Sequence, residues 1–68
     1  MFNESKLAGK MAEHHISGDK MASILGINPS TFYRKKIGES EFTRNEIQII
    51  ANTLSLTMDD VRNIFFSQ

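Results

Sequence analysis

Sixty-eight residues, with eight basic and eight acidic side chains and no cysteine, allow one domain at most, near the lower size at which a core stabilises a fold unaided. The absence of cysteine excludes a disulfide framework and a thiolate metal site, and it suits a reducing compartment. Met1-Phe2-Asn3-Glu4 lacks the basic start and apolar run of a signal peptide, and no stretch nears the roughly 20 apolar residues that span a bilayer; a soluble cytoplasmic domain without a membrane role is expected.

A helix start shows a polar cap residue, an apolar residue just before it, and another apolar residue four positions after the cap. This pattern occurs five times. Phe2-Asn3 with Leu7 predicts a helix at 4–14, with Leu7 and Met11 on one side. Ile16-Ser17 with Met21 predicts a second at 18–25, and Gly26 follows it at a position that favours positive φ. Ile27-Asn28 with Phe32 opens a third at 29–37. Pro29, the only proline, sits directly after that cap, where a missing N–H costs nothing, and Gly38 closes the helix. Phe42-Thr43 with Ile47 opens a fourth at 44–54. There Glu46 completes a capping box, and Ile47, Ile50, Ala51 and Leu54 form one stripe. Leu56-Thr57 with Val61 opens a fifth at 58–66, where Asp60 approximates a capping box and Val61, Ile64 and Phe65 repeat the stripe. No alternating strand, internal repeat, linker or low-complexity run competes. The expectation is an all-α, five-helix single domain over 1–68.

The second and third helices meet through Leu25-Gly26-Ile27-Asn28. Two helices crossing steeply over so short a turn need a small residue at the crossing and a residue tolerant of left-handed backbone in the turn. Ala22 and Gly26 meet these needs, and Met21, Leu25, Ile27 and Phe32 can fill the wedge between them. Charge is polarised although its sum is zero. Residues 28–44 hold Arg34, Lys35, Lys36 and Arg44 against Glu39 and Glu41, whereas 45–68 hold Arg62 against Glu46, Asp59 and Asp60.

The segment from Ser17 to Gly38 resembles the helix-turn-helix of the lambda-type phage repressor and Cro family, also called the xenobiotic-response-element family. That family shows an alanine, a glycine four residues later and a bulky apolar residue six after that, here Ala22, Gly26 and Phe32. The resemblance extends to helices 1, 4 and 5. The length, Glu41-Phe42-Thr43-Arg44 and Ile64-Phe65-Phe66 are similar to short Cro-like proteins of Gram-positive phages. It implies a lambda-repressor-like fold with the motif at about 17–38. The implied function is a repressor that binds double-stranded operator DNA as a homodimer in the bacterial host cytoplasm, without cofactor, metal or small-molecule substrate. Two positions depart from the family: Gly18 stands where glutamine is usual, and Lys35 where an aliphatic residue is usual. Either Ser17 or Lys20 replaces the glutamine's phosphate contact, or that contact is absent. Either Lys35 lays its stem over the core with its amine in solvent, or Ile37 partly replaces the missing anchor.

By position, the resemblance implies base-facing roles for Pro29, Ser30, Tyr33 and Arg34. A fork from Arg34 onto guanine, worth about 1–3 kcal/mol of discrimination, is the strongest expectation. Phosphate contacts are expected from Ser17, Lys20, Asn28, Thr31, Lys35, Lys36, Ser40, Thr43 and Arg44, since helix starts attract anions. Adjacent Phe65 and Phe66 cannot both face the core: one is expected to join it and the other to stay partly exposed beside Ile64. Ile64, Phe65 and Phe66 are therefore candidates for a dimer contact, the alternative being a C-terminal residue folded back on its own domain.

Other readings compete with these. Arg34-Lys35-Lys36 is also what a solvated cationic helix end looks like. His14 and His15, about 100° apart on a helix, cannot grip one ion and suit a helix end better. Met11, Met21 and Met58 read as core or boundary filler, and Asp59-Asp60 as helix-start charge. No nucleophile elbow or phosphate-cradling loop suggests an enzyme. The main rival function is a protein-interaction module on the same scaffold, an antirepressor or antitoxin-like partner, favoured by zero net charge and Gly18. Assembly through the C-terminal aromatics is a further one.

Overall fold

The computed structural model describes residues 2–66. They form five helices, α1 (Glu4–Glu13), α2 (Gly18–Leu25), α3 (Pro29–Lys36), α4 (Arg44–Thr53) and α5 (Met58–Phe65). Every helix starts on the predicted residue, and each end falls within one residue of its predicted place. Among the described residues there is no strand, and no helix is long and apolar enough to cross a membrane.

The starts agree because capping is local chemistry. Asn3 Oδ1 accepts from the Lys6 N–H at 3.0 Å, and Ser17 Oγ from the Lys20 N–H at 3.1 Å. Thr43 and Glu46 form a reciprocal box, the two bonds being 3.1 and 2.9 Å. Asp60 closes a full box with Thr57, both bonds at 3.0 Å, despite its shorter side chain. Asn28 is the exception: its side chain makes no cap bond at the start of α3.

Four helix ends share one device. A residue in left-handed conformation closes the helix, and the next residue's N–H donates to the carbonyl five positions back. These bonds are Ile16 to Met11 (2.9 Å), Ile27 to Ala22 (3.0 Å), Glu39 to Arg34 (2.9 Å) and Leu56 to Ala51 (2.9 Å). The left-handed residues are His15 (φ 56), Gly26 (φ 72), Gly38 (φ 87) and Ser55 (φ 52). Two corners therefore use glycine, and two hold ordinary side chains in a conformation that costs them about 1–2 kcal/mol each. His14 and His15 belong to the α1 corner.

The core consists of Leu7, Met11, Met21, Ala22, Phe32, Ile50, Leu54, Ile64 and Phe65, with Phe2, Ile16, Ile27, Phe42 and Leu56 among the half-buried residues packed on it. α2 lies against α3 and α4, while α5 lies against α1 and α4. Phe42, in the turn before α4, contacts three other rings: Phe2 at 5.5 Å, Phe32 at 5.9 Å and Phe65 at 5.7 Å between centroids. The Asn3 N–H donates to the Ile64 carbonyl at 2.6 Å and ties the start of the chain to α5.

This packing corrects two expectations. Ile64 is fully buried and Phe65 nearly so, since α5 lies against α1 and α4 and Phe65 meets the Phe2 and Phe42 rings; neither is free for a dimer contact. Met58, read as filler, is 81% exposed at the first position of α5.

The corners generate a stability test. Ser55→Gly is expected to stabilise the fold by about 1 kcal/mol, and Gly26→Ala to destabilise it by at least that much. In a domain of this size each such change moves the thermal midpoint by roughly 4–8 °C. Equal melting of wild type and both variants would contradict the assignment.

Candidate nucleic-acid interface

α3 stands at the surface because of what surrounds the turn before it. Ala22 is fully buried in α2, so α3 can cross closely, and Gly26 turns the chain in left-handed geometry. Phe32 then seats α3 in the core with 2% exposure. At about 100° per residue, Ser30, Tyr33 and Arg34 fall on the side of α3 opposite Phe32 and Lys35. Ser30, Tyr33 and Arg34 are all exposed, as is Pro29 at the helix start. Tyr33 is a large ring left 56% open to solvent.

The inward side holds a group that the sequence did not reveal. Lys35 Nζ donates to Glu46 Oε1 at 2.9 Å and to the Glu41 carbonyl at 3.0 Å. The two side chains are only 12% and 11% exposed. Neither expectation for Lys35 holds: its amine is not in solvent, and Ile37 does not serve as anchor, being 40% exposed. The ammonium is already engaged with Glu46 and Glu41, which takes Lys35 out of the set of free phosphate-facing cations. Burial works to raise the Glu46 carboxyl, but the Thr43 N–H, the Lys35 ammonium and the Thr43 hydroxyl together outweigh it and hold the pKa below the ordinary glutamate value. The Thr57 N–H is the largest influence lowering Asp60, aided by the Thr57 hydroxyl, Lys10 and Lys6.

The remaining phosphate candidates, Ser17, Lys20, Asn28, Ser40, Thr43 and Arg44, are exposed, and Thr31 and Lys36 are half-buried. Ser17 and Thr43 use their oxygens as helix caps, which leaves each hydroxyl proton able to donate outward. Among the described residues Lys6, Lys20, Arg34, Lys36 and Arg44 have no acidic partner within ion-pair distance, whereas Lys10 pairs with Glu13 and Asp60, Lys35 with Glu46, and Arg62 with Asp59. Three of the five unpaired cations thus lie on α3 and the start of α4, with Lys20 on α2 and Lys6 on α1. A side chain at Gly18 would meet the Phe32 ring at 3.6 Å, ordinary contact, so packing does not demand glycine there.

Of the C-terminal candidates only Phe66 is exposed, at 58%. It borders an open groove of about 640 Å³ between α4 and α5, lined also by Ile47, Ala51, Met58 and Val61 with Arg44 at its edge. The i, i+4 spacing of Ile47 and Ala51 places both in the core stripe, yet both are only half-buried and line this groove. Among the described residues no three His, Asp or Glu side chains converge as a metal site.

A tight αL turn that presents an exposed helix with polar, aromatic and cationic side chains defines a helix-turn-helix DNA-binding domain. The family model for the Cro/C1-type HTH DNA-binding domain matches residues 6–64, and the chain belongs to that family. Its class is that of DNA-binding transcription regulators, and its partner is double-stranded DNA. No curated protein and no solved structure gives a significant match.

The depressed Glu46 pKa sets a pH test. A carboxyl lowered on folding adds stability that is present above its unfolded pKa and lost as pH falls through the folded one. Denaturation over a series from pH 7 downward should show wild type more stable than Glu46→Gln at pH 7, with the gap narrowing once pH falls below the ordinary glutamate range and through the lowered folded pKa. A gap of constant size would show that the charge of Glu46 contributes nothing.

Proposed function

We propose that this single domain is a sequence-specific transcription regulator of the phage Cro-like type, a repressor that binds an inverted-repeat operator as a homodimer with α3 in the major groove. It would act where bacterial DNA lies, in the host cytoplasm. The carrying observation is the outward face of Ser30, Tyr33 and Arg34 on a helix whose opposite side is buried. Arg34 has no acidic partner among the described residues and forks onto guanine in this reading. Ser30 donates or accepts at a base edge, and Pro29 or the Tyr33 ring meets a thymine methyl.

Ser17, Lys20, Asn28, Thr31, Lys36, Ser40, Thr43 and Arg44 hold the phosphates on either side. Asn28 supports this placing, since its amide is not spent on capping α3. One copy reads too few base pairs for an operator, and a two-fold dimer supplies the second half-site. A two-fold seam must carry both a projection and a recess on one patch. The α4–α5 groove with Met58 and Phe66 at its rim offers both.

Selection from random duplex DNA tests the reading. Wild type should enrich a short inverted repeat, and Arg34→Ala should lose preference at one or two positions, worth about 1–3 kcal/mol. Met58→Lys should weaken dimers in sedimentation and binding to the full repeat more than to a half-site. The rival reading, a protein-interaction module on this scaffold, is favoured by zero net charge and by the engagement of Lys35 within the molecule. Enrichment of no motif at low salt, with weak heparin retention, would decide for that rival.

A further inference from the structure

We propose that the Lys35–Glu46 pair is a positioning latch: it sets the angle at which Ser30, Tyr33 and Arg34 are presented, and so carries base discrimination without meeting DNA. The proposal rests on the reading of α3 as the DNA-facing helix.

α3 packs closely along α2, and its one fully inserted side chain is Phe32, which meets Phe42 at 5.9 Å. A single anchor near the middle of a short helix is a pivot, about which the helix can rock. Lys35 lies on the same side, one turn on and about 4.5 Å further along the axis. Its ammonium binds two oxygens, the Glu46 carboxylate at 2.9 Å and the Glu41 carbonyl at 3.0 Å. Two attachments on one side of a helix remove the rocking that one permits.

The acceptors are themselves fixed. Glu46 Oε1 also accepts the Thr43 N–H at 2.9 Å, and Phe42 is wedged among Phe2, Phe32 and Phe65. The latch therefore joins α3 to a braced segment and not to a mobile side chain. That segment leads directly into Arg44 at the start of α4. The separation between the face that meets bases and the cation placed at the phosphates is thus set through Lys35, Glu46 and Thr43. An aliphatic residue at position 35 could fill the space, but it could not hold direction toward two oxygens. The paired charges add nothing to the net attraction for DNA, so the latch differs in signature from a phosphate contact. Loss of a lysine–phosphate contact weakens all sequences alike and reduces the salt slope by about one. Loss of a positioning contact lowers the preference for the right sequence over the wrong one.

The experiment compares Lys35→Met, Glu46→Gln and the double variant with wild type in the full chain, on the selected operator and on an unrelated duplex, over a salt series. Glutamine at 46 keeps a capping-box acceptor; it carries the comparison alone if Lys35→Met does not fold. The expected result is a drop of about tenfold in the operator-to-unrelated affinity ratio for either variant. The salt slope should stay unchanged, and the double variant should be no worse than the singles. A parallel loss on both duplexes with a slope smaller by about one would overturn the latch and make Lys35 a phosphate contact. An unchanged ratio would overturn it as well. If wild type itself selects no motif, the DNA reading fails separately. The latch is then judged by residual dipolar couplings of α3 amides against those of α4: reorientation in Lys35→Met supports it, and an unchanged angle rejects it.

Discussion

The ring of Phe42 holds three separate parts of the chain together. It stands in the turn between α3 and α4 and touches Phe2 from the start of the chain, Phe32 from α3 and Phe65 from the end of α5. Aromatic pairs at 4.5–7 Å in tilted or edge-on geometry each add roughly 0.5–1.5 kcal/mol beyond simple burial. In so small a core, that cluster links three parts of the chain distant in sequence. α3 is thereby fastened to the same residues that close the two ends of the domain onto each other.

Small size also shows in how the corners are built. Ile16, Ile27 and Leu56 each follow a left-handed residue, donate the bond that closes one helix, and precede the cap of the next. Each packs on the core from that position. One side chain thus ends a helix, begins another and fixes the angle between them. Connections of three or four residues suffice because no extra residue is needed to satisfy the free carbonyls and amides.

The helices were legible in the sequence because capping, stapling and glycine at positive φ act within a few residues. Asp60 closes its box as Glu46 does, so even the approximate signal held. Legibility failed where a side chain's partner lay far along the chain. Lys35 is a cation in an aliphatic place, but Glu46 is eleven positions away and its spacing from Thr43 accounts for it as a cap. A carboxylate has two oxygens and several lone pairs; Glu46 serves both partners through one of them. Ile64 differs: its spacing from Val61 and Phe65 puts it in the core stripe, and that periodicity outweighs its neighbourhood to the terminal aromatics. Met58 is the converse: composition suggested filler, while its place at the first turn of α5 points it outward. The outward side of α3 follows from Phe32 alone, since one buried residue fixes the rotation of a helix.

The corners at His15 and Ser55 have a bearing on how long this molecule lasts in a cell. Each holds a side chain in backbone that glycine would occupy with less strain, and neither lies on α3. A shift of 1–2 kcal/mol in folding can change cellular abundance several-fold through degradation of the unfolded fraction. Lifetime can therefore drift by single codon changes at these two corners while the exposed face of α3 stays as it is. The quantity of the protein and the surface that α3 offers are thus separately adjustable.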